Sequence, residues 1–555
     1  MSLELKYIDV PEGAQNSMAF SASEENAISN AAGVPGGVTD TPWATLEPGC
    51  WALDGSRELL NDTPEEIGWW SYERSGEDGR FTTAPRLTLK FPVPYSATGL
   101  TFTFSPSTQQ WCSEIHVAWY NGQTLLTDGI YHPDGAKWVL SRTVESFDQI
   151  RIDLIATNAP GQFAKLQRIE VGQTILFGKE ELISVQLVNE IDPTLCVLSA
   201  DTMSFEIIDR KARDLIPQEN QRVELFRDGK IKAVQYITSG TRSGKNQYKI
   251  DCQSVIALLE DTFLGGMYDA KPLAELAGEI LGDWPFEIAP CFSDTTVSGY
   301  LPVCTQREAL QQIAFAIGAV VTTQDEAKIR FLPIPETTTG RFTEADIFMG
   351  TSVRTEPRVA KVEVYSHSYT PSDTEETMLE DEISGEEVLV TFDAPHHSYA
   401  ITGGVITASD VNWMKITADG PVTVTAKPYL HSAVAHIKRN PAALAKEQSN
   451  CVSIPEATLI HNGNVGFALA RLFHIHQMRQ TTEQDVVVTN QKAGDLVAST
   501  TPWNGKTKGY ISSMDNTFTQ NKHTAKICIQ GVEVTMDAVY FHSGEIFAGG
   551  KEVVY

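Results

Sequence analysis

Between Trp43 and about Gly172 the chain repeats with a period of two, and that pattern leaves few folds open to it. Leu87, Leu89 and Phe91 alternate with Thr88 and Lys90. Phe102 and Phe104 do the same, as do Ile115, Val117 and Trp119, and later Ile150, Ile152 and Leu154. Successive side chains on a strand point to opposite faces, so each run has one apolar face to bury. The turn dipeptides Asn121-Gly122, Asp128-Gly129 and Asp134-Gly135 separate the runs, with almost no helical periodicity between them. Short strands joined by turns predict a β-sandwich over residues 43–175.

The rest of the chain is read as mainly β with α+β parts and a few helices. At roughly 150 residues per domain, 555 residues allow about three to four domains. Residues 1–42 are low in charge and rich in Ala, Ser, Gly and Asn, which predicts an arm or linker with a short strand near residues 3–10. A β region is expected over 176–265, where Val223 and Leu225 lead into a hairpin turn at Asp228-Gly229. A small α+β unit follows over 266–350. Its first helix, at 272–281, carries Leu273, Leu276, Ile280 and Leu281. Its second begins at Thr305-Gln-Arg-Glu308, a capping box in which hydroxyl and carboxylate each satisfy a free backbone N–H. Leu310, Ile313, Ala314 and Ile317 form the apolar stripe of that helix, and Gly318 ends it. Residues 351–460 are predicted to form an acidic, β-rich domain. Residues 461–555 supply a helix at 464–480, with Phe467, Leu472 and Ile475, and further strands.

Charge narrows the function. Lys and Arg number 43 and Asp and Glu 71, for a net charge of −28. Gripping nucleic acid or anionic lipid requires clustered cations, so neither is an expected partner. Residues 362–414 hold eleven acids and no Lys or Arg, which suits a solvated, field-shaping surface. No apolar run reaches the roughly 18 residues of a membrane span; the longest is 313–321. The first residues lack the layout of a secretory signal, so synthesis in a cytoplasm without signal-directed export is expected. The eight cysteines are scattered with no Cys-x-x-Cys pair, which fits small buried hydrophobes.

Catalytic motifs are missing. At Thr241-Arg-Ser-Gly-Lys-Asn246 a phosphate loop would need Gly at Ser239 and Ser or Thr at Asn246, so a hairpin tip is the better reading. His396-His397 point to opposite faces of a strand, and His474 and His476 to different sides of a helix, so neither pair suits a metal. There is no Gly-x-Ser-x-Gly element and nothing singles out a glycosidase carboxylate pair. No catalytic, cofactor-binding or metal-ligating residue is expected. Aromatic residues are the exception to this blandness. Trp69, Trp70, Tyr72, Arg80, Tyr131 and Trp138 are either core with one or two residues sealing an edge, or a platform on which a sugar ring stacks.

Ala44-Thr-Leu-Glu-Pro48 through Trp51, Asp54-Gly-Ser56 and Gly68-Trp-Trp-Ser71 resemble the opening of discoidin-like, galactose-binding-type sandwiches in prophage tail proteins of Gram-positive bacteria. Val188-Asn-Glu-Ile-Asp-Pro193 with Thr202-Met-Ser-Phe-Glu206 is similar to the first barrel of phage baseplate hub proteins. So are Leu301-Pro-Val-Cys-Thr305 with its helix, Ala493-Gly-Asp495, Thr501-Pro-Trp503 and Lys508-Gly-Tyr510. The resemblance implies a jelly-roll sandwich followed by hub-type β-barrel domains. It also implies a homotrimeric ring that joins tail tube to tip and forms a channel in the virion tail. Its partners would be distal tail, tape measure and tail fibre or receptor-binding proteins, with a host cell-surface glycan as a possible contact of the sandwich. Some relatives carry a lytic domain; with Tyr555 about 25 residues after the last matched strand, the expectation here is that any lytic activity comes from another protein and that this chain is a structural subunit. The alternatives are a free-standing lectin or adhesin, and a glycan- or peptidoglycan-degrading enzyme with an accessory sandwich.

Overall fold

The protein is described by a computed structural model covering residues 2–534, except 12, 39–40, 52–53, 60–66, 213–214, 349, 386, 502–504 and 520–521, together with 540–542 and 545–547. The fold is mainly β, with three α-helices among the described residues. The strand expected near residues 3–10 is Leu3–Pro11, and it is paired on both sides. Leu3, Leu5 and Tyr7 alternate inward, and the strand lies between Thr174–Phe177 and Gln221–Arg227 in the largest sheet. Burial drives this placement: Leu5, Tyr7, Phe177, Val223 and Leu225 share one apolar core, and the Tyr7 hydroxyl donates to Gln221 at 2.7 Å.

Among the described residues that sheet has 13 strands, and it mixes distant parts of the chain. From Gln221–Arg227 it runs through Lys230–Arg242, Gln247–Gln253, Thr202–Ile208 and Leu182–Glu190, then directly into Lys506–Phe518, His523–Val534, Gln480–Val487 and Ser352–Thr355. The two β regions expected at 176–265 and after 480 are therefore hydrogen-bonded to each other, Val185 opposite Phe518 and Glu190 opposite Ser513. Thr241–Asn246 is the hairpin end joining two of its strands.

The sandwich is an insertion between Leu3–Pro11 and Thr174–Phe177, which pair with each other as Leu5 with Phe177 and Ile8 with Thr174. Its main sheet orders Arg168–Val171, Arg86–Thr103, Lys137–Thr157, Cys112–Asn121 and Thr124–Tyr131, with Ala19–Ala22 added to Arg86–Thr103. Trp69–Arg74 and Phe163–Leu166 form a small second sheet. The junction is fixed by Asp9. Its carboxylate, fully buried, accepts from the Thr98 backbone N–H and from the Thr98 hydroxyl at 2.5 Å.

Three helices stand between the strands. Helix α1 (Leu273–Leu281) and α2 (Gln306–Ile317) belong to the small α+β unit, and α3 (Val465–His476) follows the acidic region. The capping box at Thr305 and Glu308 forms in both directions, and Gly318 closes α2 in the left-handed region at φ 77°. A Cβ there would sit 2.7 Å from the Phe467 ring, which is a second reason for glycine. Helix α3 is shorter than 464–480 because Gln480 already begins a strand paired with Gly531. It packs on Lys361–Pro371 and Trp413–Arg439. Around the long central strand Trp413–Arg439 lie Lys361–Pro371, Glu376–Ser384, Val388–Thr391 and His396–Asp410, with Met414, Ile416 and Val424 at the core.

Candidate binding and assembly surfaces

The six aromatic and basic residues singled out in the sandwich do not converge on one site. Trp69 and Trp70 are adjacent on a strand, point to opposite sides, and are each buried in a different apolar cluster, at 0% and 2% exposure. Trp69 Nε1 donates to the Glu24 carbonyl at 2.9 Å. Trp70 stacks on Phe163 with centroids 6.1 Å apart and is capped by the Lys165 ammonium 4.3 Å from its ring. Both are structural. Tyr72 follows on the same strand and is 65% exposed. Arg80 makes a two-pronged ion pair with Glu114 at 2.7 and 3.0 Å, which holds the Glu114 carboxyl below its usual range. Tyr131 and Trp138 do meet, half-buried, with centroids 6.4 Å apart, backed by Trp119 and Phe102. Arg142 reaches the Tyr131 hydroxyl at 3.4 Å.

Beneath Trp70 lies an ion pair that alternation could not reveal. Lys165 Nζ is 2.5 Å from Glu47 Oε2 and 2.7 Å from Gln110 Oε1, with the two charged side chains 3% and 0% exposed. Burial pushes the Lys165 ammonium below its usual range, against the attraction of Glu47. On the outer face, His116 bridges Asp128 at 3.0 Å and Asp153 at 3.3 Å, and Arg86 binds the same Asp153 at 2.6 Å. The hydrogen bond to Asp128 lifts the imidazole above its usual pKa. No spacing rule in the sequence joins these residues: Arg86, His116, Asp128 and Asp153 come from four different strands, and Glu47 and Gln110 from outside the named strands.

Among the described residues, two further clefts are wide enough to matter here. One, of about 770 Å³, runs beside α3 and is lined by Phe467, Arg471, His474, Lys508 and Tyr510. Arg471 is stacked against Phe315 and Phe467, 4.9 and 5.6 Å from their centroids, and donates to the Phe315 carbonyl at 2.7 Å. Burial pushes its guanidinium down to about 10. The second, of about 580 Å³, gathers Arg227, Lys230, Lys232 and Lys522 around His523. Burial, then Arg227 and Lys232, push that imidazole down to about 4.

The acidic region draws its counter-charges from the strand that follows it. Lys415 faces Glu387 at 3.5 Å and Lys427 faces Asp373 at 3.8 Å. Glu376 binds the buried His396 at 2.7 Å, so that histidine is held by a carboxylate. His397 lies on the Tyr429 ring edge. Glu380, Asp381 and Glu382 stand exposed on the outer strand. Among the described residues no group of three His, Cys, Asp or Glu side chains is placed to hold a metal, and no helix is long and apolar enough to cross a membrane. The carboxyls of Asp9 and Asp201 are both raised by burial to about 7, and each accepts hydrogen bonds, Asp9 through Oδ2 from Thr98 and Asp201 from the Glu190 N–H.

No protein-family model matches the chain, and no curated protein does. Among solved structures, it is similar to the tail protein from Neisseria meningitidis MC58, at 9% identity over 65% of this chain and 94% of that one, with a TM-score of 0.38. The 43 kDa tail protein of prophage MuSo2 from Shewanella oneidensis aligns at 10% identity over 64% of this chain and 95% of its own, with a TM-score of 0.39. The family 32 carbohydrate-binding module of C. perfringens NanJ, solved with galactose, aligns at 14% identity over 30% of this chain and 98% of that one, with a TM-score of 0.19. At those scores the likeness is one of outline.

Proposed function

We propose that this chain is a structural subunit of a phage tail or phage-derived particle, a hub at the tail tip that carries the sandwich as a peripheral module. The observation that carries this reading is the insertion itself. The sandwich enters and leaves through two strands that pair with one another inside the 13-stranded sheet, so the sheet is a platform and the module an outgrowth of it. A platform built from strands of both halves of the chain resists being pulled apart better than domains joined by linkers, because every connection is a ladder of hydrogen bonds. The order of the sequence motifs supports the same reading, as does the absence of catalytic signatures in the sequence. A net charge of −28 suits the wall of a channel that passes DNA without holding it.

In this reading three copies form a ring, and the neighbours are distal tail, tape measure and fibre or receptor-binding proteins. The surface offered to a host glycan is the Tyr131–Trp138 pair beside Arg142, together with exposed Tyr72 on its own face. The test is to purify particles from an induced lysate, separate them on a density gradient and assay fractions for the chain with an antibody. The chain co-sediments with particles if the reading is right. Recovery only in the soluble fractions refutes it.

A further inference from the structure

The long strand Trp413–Arg439 is central over its first half and open over its second. Residues 413–428 are flanked on one side by Glu376–Ser384 and Val388–Thr391 and on the other by His396–Asp410. From residue 430 onward, among the described residues, only Lys361–Pro371 pairs with it, in a register without shifts from Tyr429 opposite Pro371 to Arg439 opposite Lys361. The direction of the free groups follows from two hydrogen bonds. Ser372 N–H donates to the Pro428 carbonyl on the paired side, while Tyr429 N–H donates to the Pro395 carbonyl on the other. Alternation along an antiparallel strand then aims the N–H and C=O of His431, Ala433, Ala435, Ile437 and Arg439 at the open side. Leu430, Val434 and Ile437 are exposed at 60%, 55% and 45%. A long exposed apolar edge is a template for another strand, and soluble proteins cover or blunt such edges.

The same sheet carries a second open edge of opposite character. Glu376–Ser384 is its outermost strand, nine residues long, with Glu380, Asp381 and Glu382 exposed and no basic residue. The open run 430–439 has Lys438 and Arg439, with His431 and His436, and no acid. Opposite charges on facing strands attract, whereas the acidic edge paired antiparallel with a copy of itself would set its central acids Glu380, Asp381 and Glu382 against one another. We infer that the open edge 430–439 of one copy is covered by the acidic strand Glu376–Ser384 of a second copy of this chain. Each copy then gives one edge and receives the other, a head-to-tail contact that generates a closed ring when the rotation closes. The inference rests on the assembly reading above and names the interface that would build it.

The experiment uses the full chain and compares its mass in solution with that of three variants. Ala435→Pro removes one outward N–H while sparing the ladder to Lys361–Pro371. Glu380→Lys with Glu382→Lys reverses the acidic edge. The third variant adds Lys438→Glu and Arg439→Glu to that reversal. Mass photometry is expected to show multiples of the 61.0 kDa chain for the parent. Association should be about tenfold or more weaker for the first two variants, and restored in the fourfold charge swap. Rescue by the swap separates lost attraction from lost folding. Unchanged association in both Ala435→Pro and the reversed edge overturns the inference, and so does a parent that stays a monomer at every concentration. In either case recovery of the chain in purified particles leaves the assembly reading standing, while its absence from particles removes that reading separately.

Discussion

Replacing Lys165 with Met removes the cation that faces Glu47 inside the sandwich, and the structure sets the size of the effect. The Glu47 carboxylate would keep its bonds from Thr45 Oγ1 at 2.6 Å and from the Phe163 N–H at 2.9 Å, but at 0% exposure it would hold an uncompensated charge. Breaking one side of a buried ion pair costs about 3–5 kcal/mol. Trp70 adds to this, since the ammonium lies 4.3 Å from its ring and contributes about 1 kcal/mol of cation–π attraction. Removing both charges, as Lys165→Met with Glu47→Gln, eliminates the buried carboxylate and should recover all but about 1–2 kcal/mol. The assay is urea unfolding followed by tryptophan emission, which reports this part of the chain because Trp43, Trp51, Trp69, Trp70, Trp111, Trp119 and Trp138 all lie in it. Unfolding of a chain with several cores need not be all-or-none, so only the transition seen by tryptophan is compared. The double variant should be more stable than Lys165→Met alone, with a coupling of about 3 kcal/mol. If Lys165→Met costs less than about 1 kcal/mol, or the two substitutions simply add, the pair is not dry and Trp70 is not fixed by it.

The remaining expectations concern stability at named points. Asp9 is raised from 3.8 to about 7, so between those values the native state holds a proton that the unfolded state releases; Asp201 is raised to the same level. Their contribution is fully present below the unfolded pKa and is lost as pH rises through about 7, at up to about 1.4 kcal/mol per pH unit for each group. Asp9→Asn should flatten the slope of unfolding free energy against pH between 4 and 7, and an unchanged slope would remove Asp9 as its source. Thr305→Ala should cost about 1 kcal/mol by opening the capping box of α2, read as a lower denaturation midpoint with unchanged cooperativity. Gly318→Ala meets both a positive φ and the Phe467 ring, and should cost about 1–3 kcal/mol; a neutral result would mean that α3 and α2 are not packed as described.

Much of this fold was legible because local pattern and burial agree. Leu87, Leu89 and Phe91 alternate in the sequence and alternate inward in Arg86–Thr103. The capping box, the apolar stripe of α2 and its glycine stop all lie within one short segment, where chemistry and geometry are set by near neighbours. The pairing of Leu3–Pro11 with Gln221–Arg227 was not legible, since it joins segments far apart in sequence whose register depends on a shared core. For Trp69 and Trp70 the sequence left core and sugar platform both open, and the structure buries both side chains. Adjacent residues on a strand face opposite ways, and here both faces are covered, one by the main sheet and the other by Phe163 and Lys165. Glu47 and Lys165 could not be paired from the sequence because 118 residues separate them. The Pro502–Trp503 part of the late hub-like motif lies outside the described residues.

In the proposed function this chain assembles at a tail tip. Imaging of purified particles by cryo-electron microscopy tests it most directly. Density is expected for three copies arranged as a ring around the tail axis, with their 13-stranded sheets forming the wall and the sandwiches outside it. Particles whose tips lack this chain, or a chain found only as a free monomer that binds glycan, would contradict it.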